Sequence, residues 1–127
     1  MAKKVALITG AGRGIGRGIA LCLAEEGANI VVNDRANIEA AGEVVKAVEA
    51  LGQKALFYQA DVADRAAVFA MFDAAIQHFG RIDVVVSNAA YSIREPVITS
   101  KWENVLSTLE VTQFGVYHVC QAAAQHM

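Results

Sequence analysis

The sequence predicts a doubly wound α/β domain, a parallel sheet with helices on both faces. Two observations predict it. Short apolar runs and helix-like segments alternate along the chain without exception, the pattern of repeated strand–helix–strand units. The stretch TGAGRGIG, Thr9 to Gly16, lies where the first apolar run passes into the first helical segment, and glycine's backbone freedom has a use there. Composition agrees: 127 residues, 55% hydrophobic and 19% charged, make one globular domain able to bury a core.

Each element has its own signal. Val5 to Thr9 is short, apolar and ended by glycine, a buried strand. Gly14 to Glu26 reads as a helix with Ile15, Ile19, Leu21, Cys22 and Leu23 apolar and Gly27 closing it. Asn29 to Asn33 is the second strand, Ile38 to Leu51 the second helix, ended at Gly52, and Lys54 to Gln59 the third strand. Asp64 to Phe79 is a helix with Asp64 as its cap and Gly80 at its end. Val84 to Ser87 is the fourth strand; after a loop with Pro96, Ser100 to Met127 is a fourth helical segment bent at Gly115. No linker or repeat divides residues 1–127. Right-handed crossovers leave few topologies. The expected strand order is 3-2-1-4, with ligands beyond the carboxyl ends of the strands at the switch between strands 1 and 4.

The glycine loop falls at that switch. A helix amino terminus has unpaired N–H groups and favours an anion, and a diphosphate uses it only where the backbone comes close. Gly10 then permits the turn out of the strand, Gly14 the approach, Gly16 the packing of helix on sheet, and Gly12 adds freedom to the turn. Gly18, inside the helix, costs about 1 kcal/mol relative to alanine and is read as a packing residue.

Other function classes are excluded or unsupported. A net charge of −2 gives no basic footprint for nucleic acid or an anionic membrane. No apolar run approaches a membrane helix in length, and the segment after MAKK is too short for a secretory core. Cys22 and Cys120 lie far apart and read as buried thiols of a cytoplasmic protein. His78, His118 and His126 lack ligand spacing, so no metal is expected.

The loop fits T-G-x-x-x-G-I-G, and further pieces follow in order: NDR ending the second strand, ADV after the third, and FGRIDVVVSNAA, Phe79 to Ala90. Together, over the whole chain, these resemble the short-chain dehydrogenase/reductase family. The resemblance implies a Rossmann-like sheet, a nicotinamide dinucleotide, and hydride transfer between C4 of the nicotinamide and a carbonyl or alcohol carbon. It places Gly10, Gly12, Arg13, Gly14 and Ile15 at the cofactor. It puts Asp34 on the adenosine ribose hydroxyls, Asp61 and Val62 beside the adenine, and Asn88, Ala89 and Ala90 near the ribose. Asp34 favours NAD, since a 2′-phosphate would meet like charge; Arg13 and Arg35 match positions that can hold the extra phosphate of NADP, the alternative. Ser87 and Ala90 depart from the family's Asn and Gly. Asp83 reads as the organiser of the turn into the fourth strand.

Other family pieces are missing. The general acid/base of the family is a tyrosine with a lysine four residues later, but Tyr58 is followed at that distance by Val62, Tyr91 by Glu95 and Tyr117 by Gln121. The family's serine, tyrosine and lysine follow a fifth strand, so the chain is expected to be an incomplete domain, truncated before that strand, inactive alone, and handling a small-molecule substrate only if it continues. In EVTQFGVYHV, Thr112 stands where the family has Asn; it either positions a water or packs in its helix. Tyr91 and Ser92 line a substrate mouth or a plain loop, IREP is a solvated turn, and Trp102 is a packing residue. The free edge of the fourth strand and the apolar face of the last helix (Val105, Leu106, Leu109, Val116, Tyr117, Cys120) call for a cover, expected to be a second copy in a homo-oligomer. The alternatives are a non-catalytic NAD-binding module and an interaction subunit for a full-length relative.

Overall fold

A computed structural model describes all residues from Met1 to Met127. Val5–Ile8 form β1, Asn29–Asp34 β2, Ala55–Gln59 β3 and Val84–Val86 β4. They make one parallel sheet in the order β3-β2-β1-β4, as expected. Gly14–Glu25 (α1), Ile38–Ala50 (α2) and Arg65–Phe79 (α3) connect the strands, and Trp102–Leu109 (α4) and Gly115–His126 (α5) complete the chain.

Strand periodicity divides β1 between two cores. Val5 and Leu7 face α3 and α5, packing with Val68, Met71, Phe72 and Val119. Ala6 and Ile8 face α1 and α2, packing with Ala20, Ala24, Val44 and Val48. Side chains that alternate across a strand explain why both faces are apolar. Asp64 caps α3, its carboxylate accepting the Ala67 N–H at 3.1 Å, and Gly80 ends that helix at φ 78°.

Several expectations are corrected. The sheet-facing stripe of α1 is Gly16, Ala20 and Ala24, whereas Ile15 is 76% exposed and Cys22 is exposed. The close approach at Gly16 causes this: a Cβ there would collide with the Gly10 carbonyl and lie 2.6 Å from Asn88 Nδ2, so only small residues fit that face. A Cβ on Gly18 would meet nothing within 4 Å, so Gly18 has no packing role. Cys120 is exposed as well, because α5 buries Val119, Ala122 and Ala123 instead. Trp102 is 66% exposed, since α4 buries no residue at all. The last helical segment is interrupted by a π-turn at Glu110–Phe114, just before Gly115. Gly115 itself has ordinary helical dihedrals; its lack of a side chain lets the helix cross Val62, whose Cγ2 would lie 2.7 Å from a Cβ.

Candidate functional site: a cleft at the carboxyl end of the sheet

A cleft of about 620 Å³ opens beyond the carboxyl ends of the strands, a size suited to a small molecule or cofactor. Five chain segments wall it: the loop Gly10–Ile15, the end of β2 with the turn to Asn37, the turn Ala60–Ala63, Asn88–Tyr91 after β4, and Ser107, Glu110 and Val111. Of the residues expected there from sequence, Gly10, Arg13, Gly14, Ile15, Asp34, Arg35, Asp61, Val62, Asn88, Ala89 and Ala90 all line it.

The first turn of α1 supplies the floor. Its N-cap, Arg13, makes no side-chain cap and no acidic residue stands in that turn, so its N–H groups keep their capacity for an external acceptor. Gly10 and Gly14 have φ of 63° and 57°, a region that favours glycine. A Cβ on Gly14 would meet nothing within 4 Å in the chain, which leaves open the approach to that turn.

Gly12 is the exception among the expected residues. It is buried behind the cleft wall, and its N–H donates to Asp34 Oδ2 at 3.1 Å. A Cβ on Gly12 would lie 2.6 Å from that oxygen; the glycine is there for close approach, not for turn freedom. Asp34 is 7% exposed. Its Oδ1 accepts the Arg35 N–H at 2.8 Å and the Asn37 side-chain amide at 3.2 Å. The carboxylate therefore builds the rim before it meets any ligand. Oδ2 accepts a single hydrogen bond within the chain, and a carboxylate oxygen can accept two.

Asn88 joins the two strands at the switch point. Its side-chain amide donates to the carbonyls of Thr9 and Gly10 at 3.0 and 3.1 Å, and its N–H donates to the Thr9 hydroxyl at 3.0 Å. Asp61 turns the chain into α3, Oδ1 accepting the Ala63 N–H at 2.9 Å, while it also faces the cleft. Thr112 is not packed within its helix. It is exposed, within the π-turn, and its hydroxyl is engaged by one loop residue, donating to the Tyr91 carbonyl at 2.8 Å and accepting the Tyr91 N–H at 3.3 Å. Tyr91 borders the cleft and Ser92 does not. In IREP, Ile93 and Arg94 are exposed, but Glu95 accepts the Lys101 N–H at 3.1 Å and so fastens the loop to the start of α4.

Asn33 escaped the sequence reading of the site. It is 1% exposed and borders the cleft; a polar residue inside an apolar strand was the available signal. Asn37 looks like a helix cap by position, but it makes no cap bond and donates to Asp34 instead.

The titratable groups with shifted pKa lie at the opposite end of the sheet. The Arg81 side-chain hydrogen bonds, 2.6 to 3.1 Å long, hold the Asp83 carboxyl below its ordinary range, and Asp83 raises Arg81 in return. Asp83 Oδ2 also accepts the Val5 N–H at 2.9 Å. It thus organises the turn into β4, as read from sequence. No group of three or more His, Cys, Asp or Glu side chains is placed to hold a metal ion.

The geometry has relatives. The chain is 41% identical to a tetrahydroxynaphthalene reductase of Pestalotiopsis fici, over 98% of this chain and 45% of that one. It superimposes on an NAD+-bound xylitol dehydrogenase with a TM-score of 0.94 and 35% identity, covering 99% of this chain and 48% of that one. It superimposes on a short chain dehydrogenase from Burkholderia cenocepacia J2315 in complex with NADP with a TM-score of 0.96 and 37% identity, covering 99% and 51%. The chain thus spans about half the length of the relatives it matches. The family model described as short chain dehydrogenase matches residues 4–127. A match of that extent, on a sheet with this strand order and this glycine loop, makes the chain a member of the short-chain dehydrogenase family.

Proposed function

We propose that residues 1–127 are the dinucleotide-binding part, an incomplete domain, of an oxidoreductase that uses NAD(H) on a carbonyl or alcohol substrate. The observation that carries the reading is the uncapped first turn of α1, open to the cleft beside Gly14, the donor set a diphosphate needs. Gly10, Arg13, Gly14 and Ile15 would then border the diphosphate. Asp34 and Arg35 would border the adenosine ribose, Asp61 and Val62 the adenine, and Asn88, Ala89 and Ala90 the nicotinamide-side ribose. The bound nicotinamide would supply the hydride chemistry. The serine, tyrosine and lysine that complete such a site in the family are not among these residues, and the chain by itself is expected to bind cofactor without turning it over.

Neighbours solved with NAD+ and with NADP leave the choice of cofactor to local chemistry. Asp34 favours NAD. At an effective dielectric near 20, two unit charges 4 Å apart interact by about 4 kcal/mol, an upper bound at a solvated rim, and a 2′-phosphate would face that repulsion. Arg13 and Arg35 are exposed and free to swing away. Titration with NAD and NADP tests this. NAD should bind more tightly, and Asp34→Ala should bring the two affinities together; an unchanged ratio in that variant would defeat the assignment.

A second reading rests on the flank. Leu106, Val116 and Tyr117 are 37%, 36% and 64% exposed on adjoining helical segments, which favours self-association through this face or pairing with a longer relative. Light scattering decides it: a mass of one chain at micromolar concentration, unchanged by a full-length relative, would remove both forms. Two exposed, unpaired thiols suit a reducing compartment, and we place the protein in the cytoplasm. No helix is long and apolar enough to cross a membrane.

A further inference from the structure

We propose that Asn33 is a positioning residue that sets the adenine end of the cleft and with it the choice of base; the inference rests on the dinucleotide reading above. Asn33 is 1% exposed near the end of β2. A buried amide persists where its hydrogen bonds are made. Both of its side-chain hydrogens are used, on the Tyr58 carbonyl at 3.0 Å and the Ala60 carbonyl at 3.1 Å. Because both partners are carbonyls, the amide can be oriented in one way only.

The position of these bonds gives them their consequence. The β2–β3 pairing ends at Asp34 and Gln59. The Asn33 amide reaches one residue further, to Ala60, and Ala60 leads directly into Asp61 and Val62 on the cleft wall. Asn33 also holds the other end of the site, since its main-chain carbonyl accepts the Ala11 N–H of the glycine loop at 2.8 Å. Asn33 therefore sets the separation between the first turn of α1 and the Asp61 carboxylate together with Asp34, whose carbonyl accepts the Ala60 N–H at 3.3 Å. Oδ1 of that carboxylate accepts the Ala63 N–H, and Oδ2 accepts no side-chain or backbone donor of the chain, which leaves it the freer oxygen for a ligand. A carboxylate oxygen accepts hydrogen bonds and donates none. Held in place, it favours a base with an exocyclic amine, adenine, over one with an oxo group there, hypoxanthine.

The test compares NAD, by calorimetric titration of the 127-residue chain, with its hypoxanthine analogue, in which an oxo group replaces the amine and the adjacent ring nitrogen carries a hydrogen. The unaltered chain should bind NAD about tenfold more tightly, about the worth of one hydrogen bond to a charged group. In Asn33→Ala the two affinities should converge, with most of the loss falling on NAD. Asn33→Ser, which keeps one donor, is the second variant should Asn33→Ala fail to fold, and should show an intermediate ratio. A purely structural role would weaken both ligands by one factor, and that result overturns the proposal. Equal affinities in the unaltered chain, or an unchanged ratio in either variant, overturn it as well. If the unaltered chain binds neither dinucleotide, the cofactor reading fails and takes this inference with it.

Discussion

β1 and β4 lie side by side, parallel, paired from Ala6 and Val84 to Ile8 and Val86. Both are short and wholly apolar, yet every residue of β1 is at most 1% exposed while every residue of β4 is only half-buried. Residue type does not separate them; position does. β1 has a strand on each edge, and β4 has β1 alone. The helices repeat the contrast: α3 buries Val68, Met71, Phe72 and Ala75, whereas α4 buries nothing and carries Trp102 and Leu106 in the open. The cleft draws most of its wall from the well-packed side. Its remaining wall, from Tyr91 to Val111, belongs to the thinly covered side.

The largest test of this contrast is a pair of truncations. Leu7→Ala on β1 should destabilise the chain by about 3 kcal/mol, the transfer term and the cavity adding. Val85→Ala on β4 removes fewer buried atoms and should cost about 1 kcal/mol or less. Denaturant unfolding reads both, and equal losses would mean that β4 is covered in solution by something other than this chain.

Two glycines on α1 sharpen the comparison within one helix. Gly16→Ala drives a Cβ into the Gly10 carbonyl and toward Asn88, and should cost about 1–3 kcal/mol through overpacking. It should also weaken dinucleotide binding, because both residues it displaces line the cleft. Gly18→Ala enters open space and should stabilise by about 0.5–1 kcal/mol, the propensity difference between the two residues. A loss of stability at position 18 would show that this face of α1 is covered in solution.

The well-packed side was the more legible in the sequence, for a physical reason. β1, its glycine loop and the opening of α1 follow local rules: an apolar run, positive φ at Gly10 and Gly14, an uncapped first turn. The strand order follows from crossover handedness. What escaped depends on what lies across the fold. Which side of α1 meets the sheet was decided by the close approach of Gly16 to Gly10 and Asn88, so Cys22, read as buried, lies on the open face. Gly12 was read for turn freedom because its neighbour in space, Asp34, lies far along the chain. Thr112 was read against a family asparagine, while its partner Tyr91 is visible only once the loop is folded back. The apolar pattern of α4 was plain, but burial needs an opposing surface, and pattern alone does not supply one.

The Thr112 bridge ties the thinly covered flank to the cleft. Thr112→Val keeps the shape and removes both hydrogen bonds to Tyr91, and should cost about 1 kcal/mol, with Thr112→Ser restoring most of it. Amide exchange at Tyr91 should quicken in the valine variant and not in the serine variant. Equal exchange in the two would show that the loop from Asn88 to Tyr91 is held by β4 alone.

The smallest effect concerns the foot of the two strands, where Asp83 joins the Val5 N–H of β1 to the start of β4. Hydrogen bonding from Arg81 leads the causes that lower the Asp83 pKa from its ordinary 3.8. A carboxyl with a lower pKa folded than unfolded binds fewer protons in the native state, so it stabilises the fold above the unfolded pKa. That contribution is lost as pH falls through the folded value. The stability gap between the unaltered chain and Asp83→Asn should therefore be constant at neutral pH and shrink below pH 3.8. Because Arg81 and Lys4 are solvent-facing, salt should narrow the gap too. A gap that persists into strong acid would mean that the carboxylate's charge adds nothing at this joint, because the protonated carboxyl and the asparagine amide are both neutral and both able to accept the Val5 N–H.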